Sequence, residues 1–173
     1  MRSTHIVLES TPRLDELATS VELRGMKRVP TKEKDTTLDI YDMPEQCADM
    51  IKEIHSRKAD MEAAIDWAEI STRVGLPQFF HLTSGVLKVK PNHMAVIKAV
   101  GDPAVLAEVK LRSWPSSQEE SFTETKSLLG LFLIRPLDPT QTVYFALHDV
   151  DVLILMFRLA PRQMITPQHG TSD

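Results

Sequence analysis

Cysteine is nearly missing from this sequence. Cys47 stands alone, which excludes an internal disulfide framework and any zinc site built on several thiolates. Glycine is sparse as well: six residues, at 25, 75, 85, 101, 130 and 170, with none clustered. Phosphate-cradling loops of the dinucleotide or P-loop kind need closely spaced glycines so that backbone amides can approach the anion, and those chemistries are excluded with them. Long apolar runs are absent too. The longest, Leu128–Ile134 and Val152–Phe157, fall far short of the roughly 20 residues that a membrane-spanning helix requires. The opening residues Met1, Arg2, Ser3, Thr4 and His5 lack the order of a signal peptide, so a chain in the reducing cytoplasm with no transmembrane segment is expected. Aromatic residues make up only 6% of the chain. With Trp114 alone near the cations of the middle segment, base-stacking recognition of single-stranded RNA is not expected.

What is present is an uneven charge and two different periodicities. The net charge of −4 divides into −4 over residues 1–75, +3 over 76–114 and −3 over 115–173. The middle is the basic part. Between Asp42 and Pro77, Cys47, Met50, Ile51, Ile54, Met61, Ile65 and Ala68 recur at steps of three and four, with Glu53, Asp60, Glu62, Asp66 and Glu69 mainly on the other side. Asp42 and Glu45 have the spacing of a capping box around Pro44. Arg73, Gly75 and Pro77 supply a helix end. The segment predicts one long amphipathic helix over 42–77, the alternative being two helices joined near Lys58, where Ser56, Arg57 and Lys58 interrupt the apolar stripe.

Upstream, His5–Glu9 reads as a short strand, Pro12–Ala18 as a helical turn and Val21–Val29 as an irregular strand broken by Gly25. The dense mixed charge from Arg24 to Asp35 reads as a solvated arm. Thr37–Tyr41 is a strand leading into the helix. After Pro77 the period becomes two. Strands are predicted at 79–82, 86–90, 93–100 and 104–114, joined by turn residues so short that residues 86–114 should form an antiparallel meander. Residues 115–121 read as a polar loop, and 122–129 as helix or strand. Residues 131–134, 142–147 and 152–159 read as buried central strands, and 161–173 as a flexible tail. The expected fold is therefore α+β: one long amphipathic helix packed on a mostly antiparallel meander sheet. It comprises an N-terminal charged arm (1–36), a single domain (37–160) and a tail (161–173).

Two constellations stand out. Lys88 and Lys90 share one face of a strand, as do Lys110 and Arg112 of another, with Lys98 between, so neighbouring strands are expected to offer a positive face to an acidic protein, nucleic acid or an anionic membrane surface. The bland counterpart is that exposed strands carry lysine to stay soluble and unpaired at their edges. His148, Asp149 and Asp151 form the second group. Carboxylates two apart on a strand point to one face and could share a divalent metal, although Asp in such a stretch usually serves a turn. His55, His81 and His93 have no zinc-ligand spacing, and Ser84 before Gly85 lacks the second glycine of a nucleophile elbow. No cofactor is expected.

The order of a charged arm (Arg24–Asp35), a strand (Thr37–Tyr41), a long helix and a β half resembles that of small matrix proteins of negative-strand RNA viruses, without their PPxY or PTAP budding signals. That resemblance implies an assembly role and a place in a virion. The functional expectation is a non-enzymatic structural or interaction protein that self-associates or docks to a partner through a sheet edge and a basic sheet face. The alternatives are a nucleic-acid or anionic-surface binding module using the meander lysines, and a small-ligand domain or enzyme using His81, His93 or His148 with Asp149 and Asp151.

Overall fold

The computed structural model describes residues 4–33, 36–101, 108–114, 119–123, 130–137 and 139–162. Among them lie ten strands and three short helices: β1 (His5–Leu8), α1 (Pro12–Ser20), β2 (Arg28–Glu33), β3 (Thr36–Tyr41), α2 (Glu45–Ser56), α3 (Lys58–Ile65), β4 (Ala68–Arg73), β5 (Gln78–Val89), β6 (His93–Ala99), β7 (Glu108–Trp114), β8 (Glu119–Thr123), β9 (Leu131–Ile134) and β10 (Thr142–Pro161). Every strand pairing is antiparallel.

The long helix over 42–77 is not there, which overturns the expected α+β arrangement of one helix on a sheet. Pro44 stands in the N-cap position, with no side-chain cap, and the first helical residue is Glu45 rather than a residue after Asp42. The helix breaks at Arg57 (φ −96°, ψ 18°), whose guanidinium is held by Asp60 and by the carbonyl of Glu9. It ends at Asp66, whose left-handed φ of 62° turns the chain away. From Ala68 the chain is strand. Ala68 and Ile70 are buried while Glu69 and Ser71 are exposed, an alternation of period two that an apolar stripe at steps of three and four had absorbed. The helical stripe itself is buried: Cys47, Met50, Ile54, Met61 and Ile65 all lie in the core beside the sheet. With the long helix gone, the order of parts that resembled the viral matrix proteins is gone as well.

The meander is corrected too, because β5, β6 and β7 do not pair with one another. Each pairs instead with β10, the strand around which the sheet is ordered as β1-β9-β6-β10-β5-β3-β2. The two central strands expected at 142–147 and 152–159 are one, Thr142–Pro161, continuous through the residues read as a turn. Likewise Glu119–Ser121 lie in β8 rather than in a polar loop. Val21–Val29 is not a strand, and its place is taken by the β2–β3 hairpin. The predictions over 104–107 and 124–129, and most of the expected tail, fall outside the described residues.

β10 cannot be straight. Val89 pairs with Val143 near its start and His93 with Arg158 near its end, yet only Lys90, Pro91 and Asn92 separate Val89 from His93. On a straight strand Val143 and Arg158 would stand about 50 Å apart, which three linking residues cannot span. The strand therefore curls back, and the sheet curls with it.

The concave side encloses one apolar cluster, to which β10 contributes Val143, Phe145 and Leu147 and then Val150, Val152 and Ile154. The step of three between Leu147 and Val150 marks a corner. There Asp149 takes φ 50°, and Gly85 on the paired strand takes φ 148° with no room for a Cβ, since one would lie 2.5 Å from Thr36 Cγ2. The convex side carries the second cluster, but only past the corner. Leu153, Leu155, Phe157 and Leu159 meet Leu14 and Leu17 of α1, Met50 and Ile54 of α2, and Met61 and Ile65 of α3.

α1 has its own local reasons. Thr11 caps it, with Oγ1 accepting from Leu14 N at 3.1 Å, and Pro12 opens its first turn. It is anchored to the sheet by Asp15 and Lys98, Oδ1 to Nζ 2.8 Å.

Candidate functional site

On the uncovered half of the convex side, before the corner, register decides which side chains are neighbours. Tyr144 of β10 lies opposite Lys88 of β5 on one flank and Arg112 of β7 on the other; one row along, Ala146 lies between Val86 and Lys110. Cross-strand partners share a face, so Lys88, Tyr144 and Arg112 form one row and Lys110 begins the next. Lys88 Nζ lies 5.9 Å from the centre of the Tyr144 ring, within cation–π range. Lys88, Lys110 and Arg112 are exposed and Tyr144 is half-buried. Among the described residues neither Lys88 nor Arg112 is in a salt bridge. Beside this row an open groove of about 330 Å³ is lined by Ser84, Gly85, Lys110, Ala146, Leu147 and His148.

Lys90 is exposed just past the end of β5. Lys98 does not join this group. It falls on the helix-covered part of the convex side, 2% exposed, with its ammonium on Asp15. Alternation along β6 puts it in line with Met94 and Val96, and α1 lies over it. Burial works to raise the Asp15 carboxyl, but its hydrogen bonds to Lys98 and Ser10 and the charge of Lys98 outweigh that and hold it below its ordinary value.

The second constellation is rearranged. Asp149 and Asp151 do reach a common partner, but it is His81, whose Nδ1 lies 2.9 Å from Asp151 Oδ1 and whose Nε2 lies 3.1 Å from Asp149 Oδ1. His148 points to the groove instead. Asp151 Oδ1 also accepts from the Tyr41 hydroxyl at 2.6 Å. The Tyr41 ring stacks on Phe79 at 4.8 Å and lies 5.7 Å beneath the Arg28 guanidinium, which pairs with Asp39. Burial first, and then the Asp151 carboxylate, push the Tyr41 phenol well above its ordinary range, so it stays protonated and donates.

The two His81 nitrogens face two different carboxylates, on opposite sides of the ring. A metal needs lone pairs converging on one point. Among the described residues no group of three or more His, Cys, Asp or Glu could hold a metal ion. The network ties the β2–β3 hairpin to the corner of β10.

No family model and no curated protein matches this chain. Among solved structures, the Drosophila melanogaster CENP-C cupin domain matches at 8% identity and a TM-score of 0.34, covering 90% of this chain and 84% of that one. A second crystal structure of the same CENP-C domain matches at 8% and 0.34, covering 86% and 94%. A likeness of this degree carries no argument about fold or function.

Sequence reasoning brought Lys88, Lys110 and Arg112 onto one face correctly as to parity, yet it missed Tyr144 at their centre and the partnership of His81 and Tyr41 with Asp151. Those pairs are 70 and 110 residues apart in the chain. Alternation says which residues share a face of one strand; it holds no signal for which strands are neighbours. Cys47, read as a small core residue, is fully buried, and burial pushes its thiol up to about 12, so it is inert as a nucleophile at neutral pH. Among the described residues no helix is long and apolar enough to cross a membrane.

Proposed function

We propose that the chain is an interaction module that docks an acidic segment of a protein partner on the uncovered convex face of its curled sheet. The reading is supported above all by the Lys88–Tyr144–Arg112 row, with Lys110 beside it. Three cations from the two strands that flank β10 surround one half-buried aromatic ring. The strands fix their backbones in register, so binding carboxylates has only the side chains left to order. Arg112 offers a fork that fits a carboxylate at two points, and Tyr144 offers flat apolar area with a polar tip. The open groove at Ser84 and His148 gives a segment somewhere to lie.

A protein segment is favoured over a nucleic acid by the size of the patch. Tight binding to a phosphate chain draws on a track of cations along the backbone, whereas here the cations gather around a single ring. The chain as a whole is acidic, at −4.

The test is titration of the protein with a labelled oligoglutamate peptide and, separately, with oligo-dT, for the native chain and for Lys88→Glu/Arg112→Glu. The peptide should bind the native chain in a salt-dependent way, and the double variant should lose at least about tenfold in affinity, about 1.4 kcal/mol. Unchanged affinity in the variant overturns the proposal, and tighter binding of oligo-dT than of the peptide transfers the face to the nucleic-acid alternative. Concentration-dependent sedimentation abolished by the same two substitutions would identify the acidic segment as another copy of this chain.

A further inference from the structure

A smaller and more enclosed hollow lies where the joint between α2 and α3 meets β4. Its volume is about 190 Å³, room for ~6 water molecules at liquid density. Three nitrogen-bearing side chains line it: His55 from the last turn of α2, Lys58 from the first turn of α3, and Arg73 from the end of β4. Its floor is apolar, made by Met61, Ile70 and Phe157.

The placing of Arg73 follows from a bulge. In the β4–β10 ladder Ile70 pairs with Leu159 but Thr72 pairs with Arg158, so Ser71 is an extra residue and the register shifts. Without that shift, alternation would put Thr72 on the side of Ile70 and turn Arg73 away. With it, Arg73 lies opposite Phe157, on the helix-facing side. Bulges re-aim side chains in this manner. The His55 ring meets Phe157 edge-on at 5.5 Å, and burial together with the nearby Arg73 charge holds its pKa below the ordinary value.

The two cations, Lys58 and Arg73, are differently committed. Lys58 Nζ lies 3.4 Å from Glu62 Oε1, an oxygen that already accepts from Ile70 N at 2.8 Å. Among the described residues the Arg73 guanidinium has no salt bridge and no hydrogen bond. Around the hollow the exposed Arg73 and Lys58 stand against the single Glu62 carboxylate, which leaves one positive charge in excess beside an apolar floor.

We propose that this hollow binds a small organic acid: a carboxylate held by Arg73, with His55 and Lys58 beside it, on a short apolar stem lying over Met61, Ile70 and Phe157. Arg73 presents two donors to the two carboxylate oxygens. The stem replaces water on the floor, and the restricted volume limits it to a few carbons. The site shares no lining residue with the docking face.

The test follows the His55 ring signals by NMR while the full chain is titrated with butyrate, with acetate, with n-butylammonium and with sodium chloride as the ionic control. Butyrate should shift the His55 signals saturably, acetate should need at least about tenfold more to reach the same shift, and n-butylammonium and chloride should give no saturable shift. Arg73→Ala should weaken butyrate at least tenfold, and Arg73→Lys, which keeps the charge and loses the fork, should fall between. A butyrate curve that tracks the chloride control, an equal response to n-butylammonium, equal binding of acetate and butyrate, or unaltered binding by Arg73→Ala would each overturn the site. Retention of the native His55–Phe157 cross-peaks in the variants confirms that they are folded.

Discussion

The two halves of β10 have the same alternation and different fates. From Asp151 to Leu159 its convex side chains are Leu153, Leu155, Phe157 and Leu159, all buried under the three helices. From Thr142 to His148 the convex side chains are Thr142, Tyr144, Ala146 and His148, none of them fully buried, flanked by Lys88, Lys110 and Arg112. The concave side is apolar along both halves. A strand buried on both faces reads as a continuous apolar run, and one buried on a single face reads as alternation; Val152–Phe157 against Thr142–Leu147 shows both within one strand. The corner at Asp149, with its ties to His81 and through Asp151 to Tyr41, divides them.

The comparison breaks most readily at a fully buried side chain. Leu155→Ala, on the covered half, should cost about 2–5 kcal/mol through lost contacts and a residual cavity, and Tyr144→Ala, at the matching face of the bare half, about 1 kcal/mol or less. Urea unfolding of the two variants measures both. Equal costs would mean that the bare half is covered after all.

At the corner, Gly85→Ala should cost about 1–3 kcal/mol, since a Cβ would run into Thr36 at a φ of 148°. Thermal unfolding reads this, and a shift no larger than that of an exposed substitution would show that the corner relaxes without strain.

Next is the anchor of α1. Asp15→Ala removes the carboxylate that faces the Lys98 ammonium, 2% exposed, beneath the helix; because Asp15 is itself half-exposed and water can follow, about 1–2 kcal/mol is expected rather than the larger cost of a sealed pair. Lys98→Met should be near neutral. The pair also sets a pH dependence. The Asp15 carboxyl titrates lower folded than unfolded, so its contribution is complete above the unfolded carboxylate range and is lost as pH falls below about 4 and through the folded value. Asp15→Asn should flatten that arm of the acid unfolding curve.

The smallest effect on stability is expected from Lys88→Glu/Arg112→Glu, within about 0.5 kcal/mol, even as binding of acidic peptide falls tenfold. Appreciable destabilisation by this pair would mean that the two cations serve the sheet rather than a ligand.

Much of the local structure was legible in the chain. The strands expected at 86–90, 93–100 and 131–134 coincide with the end of β5, with β6 and with β9 to within a residue, and the stripe from Cys47 to Ile65 is a buried helical face. The length of the helix was misjudged for a definite reason. Ala68 fits both a helical step of three from Ile65 and, with Ile70, a strand's alternation, and the deciding residue, Asp66 at a left-handed φ, is not one whose identity demands that conformation. The meander failed because turn residues constrain where a strand ends but not where the next one goes. Here the intervening partner, β10, comes last in the chain.

By itself, then, the sequence determined which residues are apolar, in which period they recur and which chemistries are excluded by the scarcity of cysteine and glycine. The tertiary structure alone decided that His81 should bridge Asp149 and Asp151, that Lys98 should be buried while Lys88 and Arg112 face water, and that a bulge should turn Arg73 over Phe157. The physical reason is one of range. Periodicity is a property of neighbours along the chain, whereas exposure and partnership depend on which distant strands a long, curled β10 draws together and on how far three short helices reach across its back.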